Sequence, residues 1–394
     1  MPDPTKYLFV ALPSSITPSG HRDDAISSIQ RAVRSDNGQV LPFQVPDFKV
    51  GTLDQLIQHS EELGKIEGLC KGVVSKVGDT LKNVLDGDEE QIVRHKNVND
   101  KPLEQYLRTF SWNKVKYRAD KPIAELMDLL QKEANSIDND VRSKYNQYNS
   151  IRTQSQNLSR KQTGNLSTKS LVSIVSPDML VSDSEHLETH LVAVPNSSVK
   201  EFTRSYETVS PMVVPRSAYW IQKDDEFSLY AVTVFKKHGQ EFVHKCRERK
   251  WIPRDFKFKE GGREEEQKEL KKTEAEEKRI WGETLRLGRT GWSEAVMCLV
   301  HVIVLRCFVE SVLRYGLPLD FVAALIKSDI KKAQKAKQGL DTEYGYLAGN
   351  AFGRDKKGRI SKDQGMSQND MMGGAAGGDA AEYCAYVYYE VELD

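Results

Sequence analysis

The chain has 394 residues, long enough for two or three domains, and its 57 basic residues balance 57 acidic ones. Zero net charge gives no reason to propose a nucleic-acid or acidic-substrate surface, and a mean hydropathy of −0.56 fits a soluble protein with much solvated helix. Five cysteines (Cys70, Cys246, Cys298, Cys307, Cys384) are scattered without CxxC spacing, the pattern of reduced cytosolic thiols rather than of a disulfide scaffold or a metal knuckle.

Tyr7–Leu12 is an apolar run closed by Pro13; it reads as a buried strand and is too short for a signal sequence. Asp23–Arg34 reads as a helix, and Val40–Val50, broken by Pro42 and Pro46, as an extended piece. A stronger helix starts at Thr52, where Thr52-Leu-Asp-Gln55 fits a capping box. Its apolar stripe is Leu53, Ile57, Leu63, Ile66, Cys70, Val73, Val77, Leu81 and Val84, and Asp86-Gly87 stops it. Pro102–Trp112 gives a further short helix. Asp120 is placed to cap the next one, with Pro122 in its first turn. There Ile123, Leu130, Ile137, Ile151 and Leu158 form one series and Met127, Ala134, Val141 and Tyr148 a second. The period is 3.5, broken only at Lys144 and Ser155. Gly164 ends this helix.

A different texture follows. Glu188–Val194, Ala218–Gln222 and Phe227–Phe235 read as strands, the last two joined by a turn over 223–226, and Lys237–Lys250 as an amphipathic helix. Arg263–Tyr315 then reads as one continuous helix that at ~1.5 Å per residue would reach roughly 80 Å. Its first part, 263–279, carries six basic and seven acidic residues, too polar on all faces to lie in a core. Trp281, Leu285, Gly288, Trp292, Ala295, Leu299, Val302, Val309 and Leu313 give its remainder a 3.5-period seam, with Arg306 the exception. Val296–Leu313 is the membrane candidate, but His301, Arg306 and Glu310 spread polarity round the helix, so a buried core helix is the better reading. Gly316 and Pro318 stop it. Phe321–Ile326 is apolar, Asp329–Tyr346 mostly helical, Gly349–Ile360 a loop, Gln364–Gly378 rich in Gly and Met, and Tyr383–Leu393 a closing strand. No internal repeat is legible.

Two seamed helices, one entering the middle block and one leaving it, should pack as an antiparallel pair. The expected fold is therefore α+β and helix-rich: an elongated dumbbell with a foot from both termini (1–119 and 291–394), a long antiparallel helical neck (120–165 and 263–290) and an inserted α+β head (166–262).

Signs of catalysis are weak. His186 and His190 are four apart, but on a strand four residues span ~13 Å, too far for one metal ion. The glycines at 373, 374, 377 and 378 lack the strand and helix of a phosphate cradle, and Gly353-Arg-Asp-Lys-Lys-Gly-Arg359 has Arg where a phosphate-binding loop needs Lys. No catalytic, cofactor or metal residues are assigned. One charge feature stands out: 236–257 holds eight basic residues (Lys236, Lys237, Lys245, Arg247, Arg249, Lys250, Arg254, Lys257) against three acidic. Beside the plain reading of a solvated helix face, it suggests a docking face for an acidic partner, with Trp251 and Phe256 as apolar anchors.

Phe308-Val-Glu-Ser-Val-Leu-Arg-Tyr-Gly-Leu-Pro318 is the sharpest signature in the chain. With Asp47–Asp54, Leu191–Pro195, Ser205–Thr208, Phe235–Lys237, Ile252–Phe256 and Gly349–Phe352, it makes the whole chain resemble the family of C subunits of vacuolar-type proton-translocating ATPases (V-ATPases), the single-copy stalk component of the peripheral sector. The match is weakest over the first 40 residues, 364–378 and the last strand. The resemblance implies a foot–neck–head molecule without catalysis or cofactor, monomeric when isolated. It implies a stator whose head holds a peripheral stalk of E and G subunits. Its foot would lie near a second stalk and the N-terminal domain of the a subunit, on the cytosolic face of vacuolar and endomembranes. Reversible release would regulate assembly. On this sequence, Lys236–Lys257 becomes the candidate stalk contact, while Glu310, Arg314, Tyr315, Gly316 and Pro318 are expected to be mainly structural, with Arg314 the residue that reaches the surface. An actin-binding cytoskeletal scaffold is the alternative, and an enzyme a third.

Overall fold

The computed structural model describes residues 5–181, 184–259, 261–351 and 384–393. In chain order its elements are β1 (Thr5–Pro13), α1 (Arg22–Val33), β2 (Gln39–Phe43), α2 (Leu53–Val84), α3 (Glu89–His95), β3 (Asn97–Val98), β4 (Lys101–Pro102), α4 (Leu103–Arg108) and α5 (Ile123–Thr163), then β5 (Leu187–Pro195), α6 (Val199–Ser205), β6 (Tyr219–Lys223), β7 (Phe227–Phe235), α7 (Gly239–Glu248) and β8 (Ile252–Arg254), and finally α8 (Gly262–Tyr315), β9 (Phe321–Asp329), α9 (Ile330–Tyr344) and β10 (Val387–Glu392). The fold is α+β and rich in helix, as expected. Two compact units share the chain, Met1–Tyr145 with Thr284–Asp394 (unit 1) and Asn146–Glu283 (unit 2), and the division falls inside α5 and α8. The expected loop and Gly/Met-rich stretch lie outside the described residues from 352 onward.

Unit 1 is built on an antiparallel sheet of order β10-β1-β9-β2. Strand side chains alternate between faces, and here both faces are covered, which is why β1 reads as an unbroken apolar run. Leu8, Val10 and Leu12 pack with Ile29 and Val33 of α1 and Ala336 and Leu340 of α9. Tyr7, Phe9 and Ala11 face the larger core formed with α2, α5 and α8. Where α1 meets α9, a Cβ on Gly339 would stand 2.2 Å from the Ala32 carbonyl oxygen. The Gly339→Ala clash should outweigh the ~1 kcal/mol that Ala gains over Gly in a helix, for a net loss of about 1–2 kcal/mol. An unchanged urea midpoint would mean that the two helices separate freely.

The capping box forms: the Thr52 hydroxyl accepts from the Gln55 amide at 3.4 Å, and the Gln55 side chain accepts from the Thr52 amide at 3.1 Å. Burial then departs from the expected stripe. Leu53 is 64% exposed and Ile57 is also exposed, while Leu56 takes the buried place in the first turn. From Leu63 to Val84 the expected stripe is buried. α2 and α8 run antiparallel: Gly288 faces Leu81, Cys298 Sγ lies 3.8 Å from Cys70 Sγ, and Arg306 meets Glu67. α5 is likewise antiparallel to α8 within this unit, since the Cys298 thiol donates to the Leu130 carbonyl at 3.3 Å and Gly291 faces Ile137 and Val141. Trp281, expected in the α8 seam, is exposed.

Three local expectations change. Asp120 does not cap α5; its carboxylate takes the Arg118 guanidinium at 3.1 and 2.8 Å, and the helix begins at Ile123, after Pro122. α3 and the two-residue pairing of β3 with β4 are additional elements, too short to show periodicity. The expected helix over Pro102–Trp112 closes at Arg108.

Unit 2 holds a second antiparallel sheet, of order β6-β7-β5-β8. Val192, Val194, Val232 and Val234 face α6 and α7 through Phe202, Phe242 and Cys246. Leu191, Ala193, Leu229 and Ala231 face Leu166, Leu171 and Val175. This sheet repeats the topology of the first. β1-α1-β2 with β9-α9-β10, and β5-α6-β6 with β7-α7-β8, are both split βαβ pairs in which the fourth strand lies beside the first and the third lies between first and second. Even the register agrees, with Pro13 opposite Phe321 and Pro195 opposite Phe227. The sequence shows no repeat because a topology constrains only the burial pattern, and many residues satisfy it.

Candidate partner-binding surface

α7 follows β7 through a short 3₁₀ turn, Lys236–His238, and buries Gly239, Phe242 and Cys246 against the sheet. This places the expected basic cluster partly on the opposite, solvent side. Lys237, Arg247 and Lys250 are exposed there. Lys236 donates to the Ser184 carbonyl at 2.6 Å, Lys245 pairs with Glu241 at 2.9 Å, and Arg249 donates to the Ser205 hydroxyl at 3.0 Å. Arg254 belongs to the architecture, with its two terminal nitrogens on the Leu166 and Lys169 carbonyls.

The two expected aromatic anchors are not available. Trp251 is 1% exposed and packs edge-on against Phe202 with ring centres 4.9 Å apart, and Arg249 covers its ring at 5.4 Å. The cause lies in the turn from α7 to β8: Lys250 takes a left-handed φ of 61°, and the next side chain falls into the core. Phe256 is half-buried against the second core of this unit. Of the histidines, His190 lies on β5 with its Nε2 2.9 Å from Glu188 Oε1.

At the other signature, Gly316 ends α8 with φ of 78°. The Tyr315 hydroxyl donates to the Ala11 carbonyl at 2.8 Å and accepts from the Val387 amide at 3.4 Å, tying α8 to β1 and β10. Arg314 donates to the Cys384 carbonyl at 2.7 Å and pairs with Glu310, which also pairs with Arg306. Pro318 follows in a cis peptide bond.

Residues 7–387 match the family model that describes the C subunit of V-ATPases. The chain belongs to the V-ATPase C-subunit family. The V-type proton ATPase C subunit of Saccharomyces cerevisiae is 37% identical over 390 residues, a match that takes in 98% of this chain and 97% of the relative. That of Manduca sexta is 34% identical, with 93% of each chain matched.

Membership in this family makes the chain a part of the V-ATPase and assigns it to proton transport. The Phe308–Pro318 stretch, which lies within the matched residues, joins helix end to sheet in unit 1. α8 is long and apolar enough by composition to cross a membrane, but 78% of its most apolar window is buried inside the protein. What the sequence did not reveal is where unit 2 exposes aromatic side chains. The most exposed are Tyr219 and Trp220 on β6, with Met212 before them in the chain; Phe235, Phe258 and Trp281 are exposed to a lesser degree. The signal was a strand of undetermined place in the sheet, and only the strand order makes it an edge.

Proposed function

We propose that this chain is a non-catalytic stator of the V-ATPase, bridging peripheral stalks of E and G subunits to the N-terminal domain of the a subunit so that ATP hydrolysis stays coupled to proton pumping. The observation that carries this reading is the family match over nearly the whole length of both this chain and its relatives. In this reading 1–119 and 291–394 are the foot, 120–165 and 263–290 the neck and 166–262 the head. The protein sits on the cytosolic face of the membrane and reaches it only through its partners, and its reversible release regulates assembly.

The basic side of α7, with Lys237, Arg247 and Lys250 in solvent, is the proposed stalk contact. Exposed charges at a rim act mainly on encounter and are screened by salt. Calorimetric titration of the full chain with purified E–G heterodimer is expected to give a one-to-one complex. Reversing Lys237, Arg247 and Lys250 to Glu should weaken it about 10-fold or more at low salt, and the gap should narrow as salt rises. Binding indifferent to the three charges discards this face and keeps the stator role; no binding by the wild-type chain removes the role.

A further inference from the structure

After α5 the chain runs through residues 164–175 without helix or strand, and a connection of this kind is ordinarily the loose part of a fold. Here it is held from every side within unit 2. Its apolar residues Leu166, Leu171 and Val175 are buried under Leu191, Ala193, Leu229 and Ala231 of the sheet. Arg254 on β8 stands opposite Leu191 of β5, and directly opposed residues project to the same face, so its side chain enters the face that this segment covers. There its two terminal nitrogens donate to the Leu166 carbonyl at 2.5 Å and the Lys169 carbonyl at 2.7 Å.

From the turn between β6 and β7, the Asp224 carboxylate accepts from the Leu166 amide at 2.5 Å, and the Glu226 carboxylate accepts from the Asn165 side chain. The Ser170 amide donates to the Lys161 carbonyl in the last turn of α5 at 2.5 Å. The Ser170 hydroxyl donates to the Glu266 carboxylate near the start of α8 at 2.7 Å. Val172 lies against the same helix, where a Cβ on Gly262 would stand 3.2 Å from its Cγ1. The end of α5, the start of α8, β8 and the β6–β7 turn thus all meet on one short segment.

Four of these ties use a charged side chain, and hydrogen bonds to ionised groups are the strong ones. Without them the sheet would be joined to α5 and α8 by covalent connection alone and could pivot there. We infer that residues 164–175, pinned by Arg254, form a stiff joint through which force on the sheet of unit 2 passes into α5 and α8. The inference rests on the stator reading and adds a positioning residue to it: a stator resists torque only if the part that holds the stalk cannot turn on its own helices. Arginine suits the place because its planar fork reaches two carbonyls at once, which a lysine cannot do.

The first test is native-state hydrogen exchange of the full chain, comparing wild type with Arg254→Ala and Ser170→Ala. Arg254→Ala is expected to speed exchange at the Leu166 and Ser170 amides about 10-fold or more, while the amides that pair β5 with β7 keep their protection. Ser170→Ala, which leaves the sheet untouched, should show a smaller increase in the same direction, and it decides the matter if Arg254→Ala does not fold. Exchange unchanged in the variants overturns the joint. The second test adds each chain to a V-ATPase stripped of its C subunit and reads the ratio of proton pumping to ATP hydrolysis. The variants should lower that ratio while their affinity for E–G heterodimer by calorimetry stays within about 2-fold of wild type, since the joint lies apart from the proposed contact. Faster exchange with an undiminished ratio overturns the role in passing force and leaves the stator reading standing. Failure of the wild-type chain to restore pumping overturns the stator reading and that role with it.

Discussion

Replacing Arg306 with alanine is expected to lower unfolding free energy by about 3–5 kcal/mol, the range for breaking one side of a buried ion pair. Arg306 is the one polar interruption of the α8 seam. Its Nη1 lies 2.6 Å from Glu67 Oε2 on α2, its Nη2 3.5 Å from Glu310 Oε1, and its guanidinium 4.5 Å from the centre of the Tyr389 ring on β10. The Glu67 side chain is buried, and Lys71, at 2.7 Å, is its other cation. In Arg306→Ala the carboxylate stays buried with only that half-exposed lysine, and Tyr389 loses the cation over its ring. Removing both charges should cost far less, because a packed apolar pair avoids the desolvation that the ion pair must overcome. Urea midpoints of Arg306→Ala, Arg306→Met and the double variant Glu67→Leu with Arg306→Met measure this. A double variant no more stable than Arg306→Ala would refute the buried-charge account.

The second large effect is on pH. His301 sits in the core of unit 1 among the rings of Phe110, Trp112 and Tyr117, with centroids at 5.3, 4.7 and 4.8 Å. Its Nδ1 lies 2.7 Å from the Met297 carbonyl and its Nε2 accepts from the Asn113 amide at 3.2 Å. These partners suit the neutral ring with the proton on Nδ1. Burial pushes the imidazole pKa down from 6.5 to about 4, with the Met297 carbonyl and Glu133 pulling upward and Lys116 downward. Tyr117 and Lys116 both contact Glu133, so the loop that covers His301 is itself anchored on α5.

With the folded pKa below the unfolded one, the contribution is complete above pH 6.5, where the ring is neutral in both states. Below that the unfolded chain binds a proton that the folded chain refuses, and stability falls until about pH 4. The total is about 3 kcal/mol. His301→Asn, whatever its own cost, should remove this component, so the stability difference between variant and wild type should shrink as pH drops from 6.5 to 4. Parallel curves across that window would sink the assignment.

By itself the sequence determined which segments are helix and strand wherever periodicity runs long: the capping box at Thr52, the seams of α5 and α8, the apolar run of β1. Each follows from local rules, since a helix or strand must bury a stripe or a face and the residue spacing records which one. Family membership was also legible, because Phe308–Pro318 and the shorter motifs can be read as strings without knowing the fold. Tertiary structure alone decided which apolar residues meet a neighbour. Leu53, Ile57 and Trp281 fit their stripes yet end exposed, because the turns that carry them face solvent. Trp251 lies in a basic stretch yet is core, because the left-handed backbone at Lys250 turns it inward. Arg306 looked like a fault in a seam and is the centre of a buried charge cluster, since its partners come from α2 and β10, far away in the chain. The edge position of β6, which leaves Tyr219 and Trp220 in water, depends on the order of strands, and strand order is fixed by long-range pairing that no local pattern encodes.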